Sequence, residues 1–202
     1  MERPGPGVAT VHGSSTATQQ IFRTLLAEYG RSIRIVGVVE ERDGPTGRTC
    51  RAGRLRNVTD NVLYPMFEEL PPGNAGCDLH GPNVTRACEA VRRDIAAGCD
   101  LVVLSKFGKL ESTGQGLAAA FAAAVNAGIP LLTSVSPAYE EACAARVGAR
   151  IVTIPAELDA VRDWLGAHVA RMAWFGTAGR PRPTRLNLTT VATMNRGAPG
   201  RG

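Results

Sequence analysis

Residues 100–111 read DLVVLSKFGKLE, and the first half of this stretch decides the fold class. The run from Asp100 to Ser105 has the length of a strand and is apolar at consecutive positions. A strand that is apolar on both sides has to be covered on both faces, which is typical of parallel sheets flanked by helices. The stretch therefore predicts a central strand of an α/β sheet.

Strands and helices alternate in both directions from this stretch. Short apolar or β-branched runs predict strands at 8–11, 33–39, 130–135 and 151–154, a hairpin-like turn over 40–47, and short polar-faced strands within 48–70. Apolar residues at helical spacing predict helices at 20–29, 83–97, 114–126, 137–147 and 156–169. Such alternation implies a mostly parallel sheet with helices on both faces. We therefore expect an α/β fold.

The charge of the chain is concentrated at its end. The net charge is +5, yet the segment from Arg171 to Gly202 holds six arginines and no acidic residue, so residues 1–170 are close to neutral. From about residue 176 onward Pro, Gly, Thr and Arg dominate, which is typical of disorder. We expect one domain over 8–170 and a basic, disordered tail over 171–202. Because the basicity belongs to the tail, the folded domain is not expected to bind nucleic acid.

Composition also bears on location and metal content. No apolar run approaches the roughly 20 residues that cross a bilayer, and the opening MERPGPG has no apolar signal core, so we expect a cytoplasmic protein without a membrane partner. Five cysteines without a CxxC pair indicate free thiols in a reducing compartment. Cys77 and His80 have a metal-like spacing but no second pair nearby, so no metal site is expected.

Three loops are predicted at the carboxyl ends of parallel strands, where α/β sheets bind ligands. They cover residues 12–18, 105–114 and 134–138. The first reads HGSSTAT and leads into a helix, whose N-terminal N–H groups and positive dipole end suit a phosphate or another oxyanion. Candidate binding residues there are Gly13, Ser14, Ser15 and Thr16. The alternative is an ordinary capped helix start, because Ser and Thr are preferred there in any case.

The second loop contains both lysines of the chain. The chain has 21 arginines but only two lysines, Lys106 and Lys109, and these lie three residues apart. Their clustering suggests a site that requires the mobile point charge of a lysine. Gly108 permits a close ligand approach, and Glu111 is the candidate catalytic acid or base. Ser105 completes the set of candidate binding residues. The alternative is a solvated turn with a surface ion pair. The arginines of 42–56 are likewise candidates for contacting an anion, although a solvated face is the more frequent reason for such a segment.

The segment 100–111, together with the preceding order of strand, hydroxyl-rich loop, helix and arginine hairpin, resembles a known bacterial family, domain of unknown function 2478. The hallmark of that family is a strand ending in Phe-Gly-Lys-Leu-Glu, and the resemblance covers about residues 8–166. The family in turn resembles small P-loop nucleoside triphosphatases, which implies a P-loop-NTPase-like fold. Its members are often encoded beside molybdate-transport genes, which implies a molybdate context.

The resemblance also implies that two acids have been replaced. The nucleotidases carry acids at the places of Ser105 and Lys106, where they serve the magnesium ion and the attacking water. The lysine that grips phosphate in their first loop has no counterpart among residues 12–18. Because phosphoryl transfer depends on metal and positioning electrostatics, ordinary hydrolysis with magnesium is not expected. Lys106 instead takes over the role of the missing loop lysine in this interpretation.

The sequence thus predicts a protein that binds an anionic small ligand through a degenerate P-loop-like domain. A nucleotide is the first choice, and molybdate or a related oxyanion the second. One alternative is a nucleoside triphosphatase with rearranged catalytic residues, in which Glu111 is the base. Another is a non-catalytic interaction protein that uses its basic tail. The sequence leaves the oligomeric state open.

Overall fold

The computed structural model describes residues 7–42, 53–69, 77–79, 81–148 and 151–175. The strands are β1 (Val8–His12), β2 (Ile35–Arg42), β3 (Gly53–Asn57), β4 (Leu63–Pro65), β5 (Phe67–Glu69), β6 (Cys77–Leu79), β7 (Leu101–Phe107), β8 (Leu131–Val135) and β9 (Ile151–Pro155). The helices are α1 (Ser15–Tyr29), α2 (Gly81–Ala96), α3 (Lys109–Ser112), α4 (Ala118–Asn126), α5 (Glu140–Val147) and α6 (Leu158–Phe175). The predicted disorder of the tail beyond Phe175 and the predicted loop at 43–47 lie outside the described residues.

Seven strands form the main sheet in the order β4-β3-β2-β7-β8-β1-β9. The five strands from β2 to β9 in this order are mutually parallel, whereas β3 and β4 are added antiparallel at one edge. A separate antiparallel pair joins β5 and β6. The predicted mostly parallel α/β sheet is confirmed, and β7 is its middle strand.

Helices cover both faces of the sheet and enclose two apolar layers. Helices α1 and α6 pack on one face, where the largest buried contributors are Phe22, Leu25 and Trp164. Helices α2, α4 and α5 pack on the other face, where the ring of Phe121 stands edge-on to that of Phe107 at 5.3 Å between centroids. The continuous apolar run of β7 follows from this arrangement, because its alternate residues face the two layers.

Several boundaries differ from the sequence-based expectation. Helix α1 begins five residues earlier than predicted, because the Ser14 hydroxyl caps it by accepting a hydrogen bond from the Ala17 N–H. Strand β2 runs through Glu40 to Arg42 instead of turning there, because it pairs with β3 over that length. Helix α6 extends to Phe175, beyond the predicted end at residue 169.

The helix predicted over 114–126 is confirmed from Ala118 to Asn126, and two glycines explain why its first four residues are not helical. Gly114 and Gly116 have φ values of +84° and +59°, which no continuous right-handed helix contains. The chain therefore forms the short helix α3, turns through the two glycines and starts α4 only at Ala118. This turn lies directly after β7 and shapes the loop that carries the lysines.

None of the helices in the described part of the chain is long and apolar enough to cross a membrane.

Candidate functional site

The connections that follow β1 and β8 run in opposite directions along the sheet. The chain leaves β1 through α1 on one face and leaves β8 through α5 on the other. Two neighbouring parallel strands that connect in opposite directions form the topological switch point where such sheets bind ligands. The loops after β1, β7 and β8 all end at this edge, as the sequence predicts.

The first predicted loop, residues 12–18, packs closely against Ala156, which follows β9. A Cβ on Gly13 would lie 2.4 Å from the Cβ of Ala156, so a glycine is required for the loop to pass there. The same position would lie 3.9 Å from the hydroxyl of Thr18, which is buried and finds no hydrogen-bond partner among the described residues. A buried polar atom without a partner at a helix start is compatible with a ligand that supplies the missing bond.

A β-bulge at the end of β7 sets the direction of Lys106. Leu104 pairs with Thr133 and Phe107 with Val135, so β7 advances by three residues where β8 advances by two. The extra residue leaves Ser105 and Phe107 buried while Lys106 is exposed. Bulges often redirect a side chain next to a functional site. Here the bulge turns the first lysine of the motif outward at the carboxyl edge.

The backbone of this bulge is held by two side chains. The carbonyl oxygen of Ser105 accepts hydrogen bonds from Gln19 Nε2 at 3.2 Å and from the Ser134 hydroxyl at 2.7 Å. Gln19 also accepts a bond from the N–H of Glu40 at 3.0 Å through its own amide oxygen. One buried amide therefore links α1, β2 and β7. Sequence reasoning missed Gln19 and Glu40, although a glutamine among the apolar positions of α1 was the available signal.

Glu111 holds the loop together through both of its carboxylate oxygens. Oε2 accepts the Gly108 N–H at 3.0 Å and Oε1 accepts the Leu117 N–H at 2.9 Å. The side chain is only 6% exposed. A carboxylate that is buried and doubly bonded to backbone N–H groups fixes the turn between β7 and α4.

A cavity of about 310 Å³ opens beside the lysine motif. Five of the predicted site residues line this cavity, namely Ser105, Lys106, Gly108, Lys109 and Glu111. Its remaining polar wall consists of Glu40 and Ser136, and its apolar wall consists of Leu55, Met66, Phe67, Val84, Leu110, Leu117 and Tyr139. Both lysines are exposed, at the solvent side of this cavity. The arrangement combines a cationic rim with an apolar interior.

The four candidates of the first loop do not line this cavity. Strand β8 lies between β1 and β7, which places the two strand axes roughly 10 Å apart at two interstrand spacings. The end of β8 therefore lies between Lys106 and the first loop. The β1 and β8 loops approach each other through His12 Nδ1 and Glu140 Oε1, which are 3.7 Å apart.

The described part of the predicted arginine segment reaches this edge at one point, where Arg54 is paired with Glu41 in the β2–β3 ladder near the carboxyl end of β2 and Leu55 lines the cavity. Arg56 forms an ion pair with Glu41 and, together with Arg23 and Arg31, lines a second cavity of about 570 Å³ at the amino end of β2. The arginines between 43 and 52 lie outside the described residues. Among the described arginines of the segment, Arg56 alone lines this second cavity, whereas Arg42 and Arg54 lie towards the carboxyl end of β2.

Three of the described cysteines, Cys88, Cys99 and Cys143, are poor nucleophiles. Burial raises the pKa of Cys99 to about 12 and that of Cys143 to about 11, and it also raises the pKa of Cys88. All three are free thiols, and the raised pKa values keep them protonated near neutral pH. Within the residues that the structure describes, no group of three His, Cys, Asp or Glu side chains is arranged to hold a metal ion. Cys50 lies outside the described residues, as does His80 from the predicted metal-like pair.

The chain is similar to a protein family and to known proteins. A family model described as Protein of unknown function (DUF2478) matches residues 8–164. The Molybdenum import ATP-binding protein ModC 2 of Bradyrhizobium diazoefficiens is 31% identical over 182 residues, which cover 87% of this chain and 19% of that protein. The chain thus spans about a fifth of the length of this relative.

The fold also matches a solved structure. The solution structure of a human cancer-related nucleoside triphosphatase aligns with a TM-score of 0.51 and 14% identity, over 88% of this chain and 100% of that one. At this identity the likeness concerns the fold, and it confirms the expected nucleoside-triphosphatase-like architecture.

Proposed function

The chain belongs to the family described as Protein of unknown function (DUF2478), and we propose that it binds a nucleotide at the carboxyl edge of its sheet. Lys106 and Lys109 neutralise the phosphates, and the N–H groups of residues 14–16 provide further contacts at the start of α1. Ser105 and Gly108 line the cavity beside the two lysines.

One observation carries this proposal. The only two lysines of the chain, which were singled out by composition, both line a cavity at the edge where such sheets bind ligands. Lysine is a common phosphate-binding residue, acting as a point charge. The names of a nucleoside triphosphatase and of an ATP-binding import protein among the similar proteins are consistent with this ligand class.

The distance between the two loops favours a ligand with linked phosphates. A polyphosphate chain can extend across the end of β8 and contact both loops, whose strand axes are roughly 10 Å apart. A single tetrahedral oxyanion such as molybdate contacts both loops only if a long side chain such as that of Lys106 reaches across. Molybdate therefore remains the second candidate, favoured by the name of the molybdenum import relative.

Hydrolysis is the weaker alternative because the described site lacks a free acid at the end of β7. Ser105 and Lys106 follow the apolar run, and Glu111 is engaged by two backbone N–H groups. We propose that nucleotide binding does not require magnesium and that turnover is slow or absent. A triphosphatase with Glu111 as base predicts phosphate release that is lost in Glu111→Gln. The third candidate, an interaction protein using the tail 171–202, rests mostly on residues outside the described part.

Removing the lysine charges tests the proposal. In isothermal titration without magnesium, wild type is expected to bind ATP or GTP saturably. Lys106→Met and Lys109→Met are each expected to weaken binding about tenfold or more, because a hydrogen bond to a charged group contributes about 1.5–3 kcal/mol. Methionine retains the apolar stem of lysine, so the change removes the charge with little loss of packing.

Arg92→Met serves as the matched control, because Arg92 is an exposed cation on α2 that pairs with Glu89. Its affinity for nucleotide is expected to equal that of wild type. Nucleotide binding that is equally strong in both lysine variants, or absent in wild type, would contradict the proposal. Saturable binding of molybdate alone would support the second candidate instead.

A further inference from the structure

We propose that Gln19 is a positioning residue of the ligand site, which fixes the peptide of the β-bulge so that Lys106 projects towards the bound phosphates. This inference rests on the proposed function and deepens it, because it names a residue that acts through Lys106 rather than on the ligand. It also joins the two parts of the site. Gln19 belongs to α1, whose start provides one set of contacts, and Lys106 belongs to β7, which provides the other.

The bulge makes the peptide between Ser105 and Lys106 dependent on side-chain partners. At this point β7 contains one residue more than β8, and a bulge disrupts the hydrogen-bond ladder locally. The carbonyl oxygen of Ser105 accepts the Gln19 amide N–H at 3.2 Å and the Ser134 hydroxyl at 2.7 Å. One side chain from α1 and one from β8 therefore hold the same oxygen atom.

This oxygen sets the direction of Lys106 because a peptide unit is planar. The carbonyl oxygen of Ser105 and the Cα of Lys106 lie in one plane, so that plane cannot rotate without breaking both side-chain bonds. Lys106 is exposed, whereas Ser105 and Phe107 on either side of it are buried. Rotation of the peptide would change the direction in which the lysine leaves the strand. The two bonds therefore confine its ammonium group to a smaller part of the carboxyl edge.

Gln19 can serve as this support because both ends of its amide are engaged. Its Nε2 donates to Ser105, and its Oε1 accepts the backbone N–H of Glu40 at 3.0 Å. The residue is only 6% exposed, so water does not compete for these bonds. Burying an amide is costly unless it is hydrogen-bonded, and here both of its polar atoms are. An apolar residue would fill the same space without holding the bulge.

The test compares the affinity of ATP for wild type, Gln19→Met and Gln20→Met in isothermal titration without magnesium. Methionine has nearly the length of glutamine but cannot donate a bond to Ser105. The affinity of Gln19→Met is expected to fall about fivefold or more. Gln20→Met is the matched control, because the same change is made one residue later on α1, at an exposed amide whose oxygen accepts a bond from Arg23. Its affinity should stay within about twofold of wild type.

A double-mutant cycle separates positioning from a general loss of structure. If Gln19 acts through Lys106, Gln19→Met should weaken ATP binding by less than about twofold in the Lys106→Met background. In the Lys109→Met background it should still weaken binding by about fivefold. A merely structural role predicts the same factor in all backgrounds. The stoichiometry of each titration reports the folded fraction, so partial unfolding does not imitate a change in affinity.

Ser134→Ala is the second variant, and it decides the question if Gln19→Met does not fold. It removes the other bond to the Ser105 oxygen and leaves the bond between Gln19 and Glu40 in place. ATP binding should again weaken only while Lys106 is present. Unchanged binding in both variants, or an equal loss with and without the Lys106 side chain, would overturn this inference and leave the proposed function intact. Absence of ATP binding by wild type would overturn the proposed function itself.

Discussion

Gly37→Ala is expected to prevent stable folding of the chain at 25 °C. Gly37 lies in the middle of β2 with φ at +132°, a conformation open to glycine alone at little cost. A Cβ at this position would lie 1.9 Å from the carbonyl oxygen of Val103 on the paired strand β7. Neither backbone can move without breaking the parallel ladder between the two strands.

The expected loss of stability exceeds about 4 kcal/mol, which is comparable to the whole folding free energy of many domains. Circular dichroism and urea unfolding of purified protein measure it. Gly166→Ala is the control, because a Cβ at Gly166 on α6 meets nothing within 4 Å and alanine favours helix by about 0.5–1 kcal/mol. A Gly37→Ala protein as stable as wild type would show that the pairing of β2 with β7 is wrong.

Glu111→Ala is expected to lower the free energy of unfolding by about 3 kcal/mol or more. The substitution leaves the N–H groups of Gly108 and Leu117 without their acceptor, and each buried unsatisfied donor costs about 1–3 kcal/mol. Urea unfolding measures the loss, and hydrogen exchange should show faster exchange of these two amides. Glu111→Gln should lie between the two proteins, because its amide retains one acceptor oxygen.

Glu141→Ala is the control, because Glu141 is exposed on α5 and its loss should cost less than about 1 kcal/mol. This comparison also separates the two roles of Glu111. A purely catalytic base could be replaced without loss of stability, whereas a carboxylate that fixes the loop cannot. Wild-type stability of Glu111→Ala would contradict the role that we assign to this side chain.

The sheet could be predicted from the sequence because its signals are local. Strand β7 is apolar at consecutive positions, and the helix spacing of α2 and α4 is visible in a short window. The order of the strands could not be predicted, because pairing between parallel strands depends on contacts far apart in the chain. The antiparallel β3 and β4 at the edge were expected only as short polar strands.

The site could be predicted in part for the same reason. The lysine motif can be recognised because it contains both lysines of the chain. Its place at the end of a strand follows from the continuous apolar run that precedes it. The bulge at Ser105–Lys106 and the two bonds of Glu111 depend on register and on a turn through Gly114 and Gly116, which no local pattern encodes. Glu40 was not identified from the sequence because the chain was expected to turn at this residue, whereas β2 continues through it.

The most direct test of nucleotide binding at the lysine motif is a titration of isotopically labelled wild-type protein with GTP, followed by amide chemical shifts. We expect the signals of residues 105–111 to shift first and saturate, together with those of 13–16, while those near Arg31 and Arg56 at the amino end of β2 stay constant. Shifts confined to the cavity around Arg31 and Arg56, or no saturable shifts at residues 105–111, would contradict it.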